Sequence, residues 1–305
     1  MKRTFYPSKR RQGFTLVEVL VSSLLTLIIM AMLFSVLIGT MNAWEGGTSK
    51  LQSAGDARLA LDILKTDLES LVARQTQYDQ EWISSIPLLD TDSNIINTWL
   101  TFFSPSLDRD KEINGVEQKG DIVALSYVSW YQDPISPTLT GPENEINKIF
   151  GLYKAMTTTE EAFTTALDFG GDALLTPTVP GTVGYWTDAP SPPRPQINDP
   201  SGFLAPNVIQ FTVTWLVRKP GALTLTRVDE TQTVRLSNIL EVSPDPDNVS
   251  GGKIEAAEIN ITTLTDEGMR RFAFLAQTGT IPPEQVTQII REFGTTHTRR
   301  VSINY

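Results

Sequence analysis

Between Phe14 and Gly39 the chain reads FTLVEVLVSSLLTLIIMAMLFSVLIG, a run of 26 residues in which Glu18 is the one charge. Wound as a helix at about 1.5 Å per residue, it spans roughly 39 Å, more than the ~30 Å hydrocarbon core of a bilayer. A secretory signal has an apolar run of only about 7–15 residues, and no small-x-small cleavage site follows here. The pattern therefore predicts a membrane-spanning helix. Gly46-Gly47 then reads as a break. Beyond it a second helix is predicted from about Ser49 to Gln77. Leu61, Leu64, Leu68 and Leu71 recur there at spacings of three and four, Ala54 and Ala57 extend the face backward, and Asp62, Lys65, Asp67 and Glu69 fall between. Such a stripe is a packing face.

From Trp99 onward the period changes from helical to two. WLTFF (99–103), DIVALSYVSWY (121–131), NVIQFTVTWLVR (207–218), TVRLSNILEV (233–242) and KIEAAEINITTL (253–264) are rich in β-branched and aromatic residues. In the last of these Ile259, Ile261 and Thr263 alternate with Glu258, Asn260 and Thr262. Alternation implies one wet face, hence mainly antiparallel sheets. Shorter helices are predicted over 159–167, 266–276 and 282–293. The last opens on Pro282-Pro283, carries Val286, Ile289, Ile290 and Phe293 on one face, and meets Gly294 as its stop. A closing strand is predicted near Arg299–Asn304. Thr176–Pro206 holds eight of the 19 prolines, including SPPRP at 191–195, and reads as a long exposed loop.

Composition narrows the function. The 305 residues include no cysteine and one histidine, His297, which removes disulfides, thiol nucleophiles and Cys-ligated metals and leaves nothing for a multi-His centre. The net charge of −10 argues against nucleic acid as a partner. That charge is unevenly laid out. Met1–Gly13 holds Lys2, Arg3, Lys9, Arg10 and Arg11 and no acid, so the rest of the chain sets 20 bases against 35 acids. A basic flank, an apolar span and an acidic bulk place the N-terminus in the cytoplasm and the residues after Gly39 outside it. No nucleophile elbow, P-loop or dinucleotide fingerprint is present, and an enzyme is not expected.

The membrane entry reads Lys9-Arg10-Arg11-Gln12-Gly13-Phe14-Thr15-Leu16-Val17-Glu18. A carboxylate inside a span costs about 2.5–3.5 kcal/mol at mid-bilayer and less near the interface. It needs a cationic partner, which an isolated anchor does not supply. GFTLVE behind a basic cluster resembles the type III signal sequence of type IV prepilins and type II secretion pseudopilins. The resemblance implies that a prepilin peptidase cuts after Gly13 and that Phe14 is N-methylated. It also implies that Glu18 pairs with the terminal amine of a neighbouring subunit, fixing the axial register of packed helices. Lys9, Arg10 and Arg11 would belong to the leader.

The family resemblance implies a pilin-like α+β fold, a long N-terminal helix packed on antiparallel sheet with large insertions. Its parts would be a leader (1–13), a transmembrane and assembly helix (14–39), an exported continuation (40–77) and a head (78–305) carrying the Pro-rich loop 176–206. The protein would sit in the inner membrane with its head in the periplasm or in an extracellular fibre. ARLALDILKTDLESL (57–71), GLYKAM (151–156), LAPNVIQFTVTW (204–215) and KIEAAEINITTL resemble, in the same order, segments of J-type minor pseudopilins. The implied role is a minor subunit that nucleates or caps a type II secretion pseudopilus, with major and minor pilins and the secreted substrate as partners. Two alternatives stay open: a minor type IV pilus subunit for adhesion or DNA uptake, and a membrane-anchored periplasmic enzyme.

No cofactor is expected, with calcium the one ion to consider. Asp108, Asp110, Glu112 and Asn114 alternate oxygen donors ahead of Asp121, but Ile113 and Lys119 stand where an EF-hand needs glycine and glutamate. Asp90-x-Asp92-x-Asn94 and Asp245-x-Asp247-Asn248 are similar acidic turns. Tyr185, Trp186 and Arg194 are the one aromatic and basic grouping suited to a ligand on the head. His297 reads as a surface or capping histidine.

Overall fold

A computed structural model describes residues 15–73, 81–89, 96–105, 111–113, 116–118, 122–135, 148–156, 202–237, 242–243, 252–278 and 281–304. Its first element is the helix α1, Leu16–Glu69, of 54 residues. The expected break at Gly46-Gly47 does not occur. Each glycine weakens a helix by only about 1 kcal/mol relative to alanine, and the Thr48 hydroxyl donates back to the carbonyls of Trp44 and Glu45, both at 3.0 Å. The helix ends at Glu69, short of the expected Gln77. There Leu71 N–H donates to the Leu68 carbonyl, and Val72 N–H leaves the helix for the Phe103 carbonyl at 2.8 Å. The chain divides into two units, 1–48 and 49–305, with the boundary inside α1.

The strands are β1 (Glu81–Leu89), β2 (Ile96–Pro105), β3 (Lys111–Ile113), β4 (Val116–Gln118), β5 (Ile122–Gln132), β6 (Ile149–Met156), β7 (Phe203–Pro206), β8 (Val208–Arg218), β9 (Leu225–Val228), β10 (Val234–Ser237), β11 (Val242–Ser243), β12 (Lys253–Leu264) and β13 (Gly294–Ser302). Helix α2 (Asp266–Thr278) and helix α3 (Pro283–Phe293) lie between β12 and β13. Seven strands form one sheet in the order β11-β10-β1-β2-β5-β6-β7, four form another in the order β13-β12-β8-β9, and β3-β4 is a separate hairpin. The pairings among the described residues are antiparallel, as the alternation predicts. The fold is α+β, a long N-terminal helix with antiparallel sheets.

The core is where the leucine stripe meets both sheets. Leu61, Leu64 and Leu68 of α1 join Phe102 and Tyr127 of the larger sheet and Phe211, Trp215, Ile259 and Ile261 of the smaller in one buried cluster. A second cluster gathers Tyr131, Phe150 and Phe272 with Val286 and Ile289 of α3, whose apolar face is the one predicted. Gly294 closes α3 with its N–H on the Ile290 carbonyl, then enters β13 in extended backbone with no loop between.

Two prolines mark sheet edges. The Pro-rich loop was expected to reach Pro206, yet Phe203–Pro206 is strand β7, the outermost of its sheet, with Ala205 fully buried. An outer strand tolerates a residue without an N–H. Pro87 follows the same rule, since β10 pairs with β1 only as far as Ser85. Between β7 and β8 the chain turns at Asn207 with φ +58°, a left-handed conformation that asparagine tolerates.

Strand β8 has an unusual partner. Strand β9 covers it only from Trp215 to Arg218. Nearer its start, the buried Asn97 amide of β2 accepts from Phe211 N–H at 2.6 Å and donates to the Ile209 carbonyl at 3.3 Å. Thr98 accepts from Val213 N–H at 3.2 Å, and the Ser129 hydroxyl of β5 donates to the Val208 carbonyl at 2.5 Å. Side chains of one sheet thus satisfy the backbone of the other.

Candidate assembly site on the N-terminal helix

Thr15 starts α1. Its hydroxyl accepts from Glu18 N–H at 3.3 Å, and its carbonyl accepts from the N–H groups of Glu18 and Val19 at 3.0 and 3.2 Å. Thr15-x-x-Glu18 therefore has the residues and the first hydrogen bond of a capping box, with Glu18 at the third helical position. A carboxylate there also meets the positive end of the helix dipole. Sequence reasoning singled out Glu18 as an anomaly and missed Thr15, although a threonine three residues before a glutamate is itself a start signal. Gly13, Phe14, Lys9, Arg10 and Arg11 lie outside the described residues.

The apolar segment has the surface its sequence implies. Every large apolar residue from Leu16 to Met41 is exposed, and an 18-residue window reaches a mean hydropathy of 2.6 with none of it buried. Among the described residues α1 is the one helix long and apolar enough to cross a membrane. Four of its hydroxyls bond to their own helix. Ser22, Ser23, Thr26 and Thr40 donate to the carbonyls of Val19, Leu20, Ser22 and Val36 at 2.8–3.0 Å. A hydroxyl bonded to its own helix can face hydrocarbon without an orphaned donor.

The Asp67-Leu68 pair that ends the leucine stripe fastens α1 to the larger sheet. Leu68 is fully buried. The Asp67 carboxylate accepts from the Tyr127 hydroxyl of β5 and forms an ion pair with Lys154 of β6. The Lys154 ammonium also lies 5.6 Å from the centre of the Tyr127 ring. One turn on, the Ser70 and Ser104 hydroxyls share a hydrogen bond of 2.7 Å.

Most of the remaining candidates fall outside the described residues. Asp108, Asp110, Asn114 and Asp121 lie outside the described residues, and Glu112 is in β3 with only its backbone described. Asp90, Asp92, Asn94, Asp245, Asp247, Asn248, Tyr185, Trp186 and Arg194 also lie outside them, as does the helix expected over 159–167. Among the described residues no group of three or more His, Asp or Glu could hold a metal ion. His297 does not cap a helix but lies on an outermost strand. It sits half-buried in β13, opposite Ile261, with Nε2 buried and unpaired among the described residues. Burial, and secondarily the nearby Arg58 charge, hold its imidazole below the usual histidine range.

Residues 8–34 match the family described as the prokaryotic N-terminal methylation motif. Among solved structures the chain is similar to a type IV-like pilin from Thermus thermophilus, at 12% identity and a TM-score of 0.34, over 82% of this chain and 95% of that one. No curated protein matches it.

Proposed function

We propose that this is a prepilin-like subunit whose work is assembly: it is processed at its N-terminus, held in the membrane by the first part of α1, and packed through that helix into a fibre. The observation that carries the reading is the motif match over residues 8–34 on a helix whose apolar residues from Leu16 to Met41 are all exposed. A single-pass anchor explains the hydropathy, and its helix start accommodates the acid at Glu18 without giving it a cation. Assembly explains both, because the amine of a cleaved neighbour supplies the cation that the carboxylate lacks.

In this reading a prepilin peptidase cuts after Gly13 and Phe14 becomes the methylated N-terminus. The leader stays in the cytoplasm and the acidic head lies outside the inner membrane. Helices of major and minor pilins then pack side by side. The finer placement is a minor pseudopilin, most like the J type, that nucleates or caps a type II secretion pseudopilus. The large head and the ordered segments from ARLALDILKTDLESL to KIEAAEINITTL support it.

Intact mass and N-terminal sequencing of protein recovered from its native membrane test processing. A chain that starts at methylated Phe14 is the expected result, and one that starts at Met1 with its peptidase present overturns the reading. Assembly is tested separately by Glu18→Ala. The variant is expected to keep a folded head and to be lost from assembled fibres, whereas normal recovery in fibres would contradict the role of Glu18.

A further inference from the structure

The sheet edges of the head are not treated alike. Strand β7 ends its sheet with four residues and a proline, β9 has four residues, and β11 has two. The uncovered start of β8 is satisfied by side chains. Short strands, prolines and capping groups are among the ordinary ways of keeping an edge from pairing. Strand β13 has none of them. It runs nine residues, GTTHTRRVS, with no proline, and pairs with β12 over nine consecutive positions without a bulge.

The register states which groups are free. Ile303 N–H donates to the Glu255 carbonyl at 2.9 Å, so odd-numbered residues of β13 exchange hydrogen bonds with β12. By the alternation of an antiparallel ladder, the N–H and C=O of Thr296, Thr298, Arg300 and Ser302 point away from the sheet. All four residues are exposed, and these backbone groups meet no partner among the described residues. The edge is also basic on a body where 35 acids outnumber the bases. Arg299 is engaged by Asp62 at 3.4 Å. Among the described residues Arg300 has no ion pair, and Glu258, opposite it on β12, is held by Arg227 at 3.4 Å.

From this we infer that β13 is a strand-addition site, and that its occupant is an extended segment of another polypeptide with an acidic side chain beside Arg300. Main-chain hydrogen bonds to the four outward residues give the affinity, and the arginine selects the charge. The inference concerns residues 294–302 and holds whether or not the chain is cut at Gly13.

The test uses the full chain in detergent micelles and two capped nonapeptides, one alternating threonine with glutamate and one alternating threonine with lysine. Hydrogen exchange is read at single amides. The glutamate peptide is expected to slow exchange at Thr296, Thr298, Arg300 and Ser302, and to bind about fivefold more tightly than the lysine peptide. Thr298→Pro removes an outward donor without touching the β12 ladder and is expected to abolish protection. Arg300→Glu, which leaves every backbone group in place, is expected to reverse the preference. Protection of β12 amides reports that each variant is folded. No slowing with either peptide, or equal slowing with both, overturns the inference. So does slowing that rises with chain concentration and no peptide, which would make a second copy the occupant.

Discussion

Two stretches of α1 share one backbone geometry and have opposite surfaces. From Leu16 to Met41 apolar residues point in all directions and every large one is exposed; Leu33, for example, keeps 64% of its surface. From Ser49 to Glu69 one stripe is buried, with Leu64 and Leu68 fully so, while Leu51, Leu59, Asp62 and Glu69 are exposed. A helix apolar all round requires a non-aqueous surrounding, and a helix with one stripe requires a single packing partner. Helix formation itself does not distinguish the two. What differs is the solvent each stretch is built for.

The contrast is broken most severely at the last turn of α1. Lys154→Met takes the ammonium away from the buried Asp67 carboxylate, and removal of one partner from a buried pair is expected to destabilise the head by about 3–5 kcal/mol. Denaturant unfolding of the full chain in micelles measures this, and Asp67→Leu added to Lys154→Met should restore much of the loss. Next in size is a matched pair. Leu64→Ala opens a cavity in the core and should cost about 3 kcal/mol, whereas Leu33→Ala should change head stability by less than about 0.5 kcal/mol. Equal effects would remove the distinction between the two stretches.

Smaller changes sharpen the junction. A Cβ at Gly46 or Gly47 would meet nothing within 4 Å, so alanine at each should strengthen the helix by about 1 kcal/mol, seen as increased helicity by circular dichroism on heating. The smallest effect is a pH dependence. His297 binds a proton less readily folded than unfolded. The folded chain therefore loses stability as pH falls through the unfolded value of about 6.5 toward the lower folded one. His297→Gln should flatten the part of a melting-temperature profile that lies below about pH 6.5.

Strong periodicity was legible and mixed patterns were not. The alternation of Ile259 and Ile261 with Glu258 and Asn260 located β12, and Pro282-Pro283 with Gly294 bracketed α3. Strand β1 was missed because Trp82, Ile83, Ser84 and Ser85 are buried in succession, which erases the period of two, and because Pro87 argues against a strand unless its neighbour on that side is known to stop. Strand β7 was hidden by the prolines before it. Gly46-Gly47 was misread since propensity is a weak term beside a long run of helix formers. At the candidate site the misplaced charge of Glu18 was legible from one residue. The anchoring of Asp67 was not, because Tyr127 and Lys154 come to it from 60 and 87 residues away.

The contact of Asn97 with β8 has a mechanical meaning of its own. A ladder of backbone groups is periodic, so two strands can slide by two residues and find the same bonds again. An asparagine seated between Phe211 and Ile209 cannot, because the chain offers that side chain at one position only. With Thr98 it acts as an index pin between the sheets, fixing their alignment by a single event where repetition would permit several.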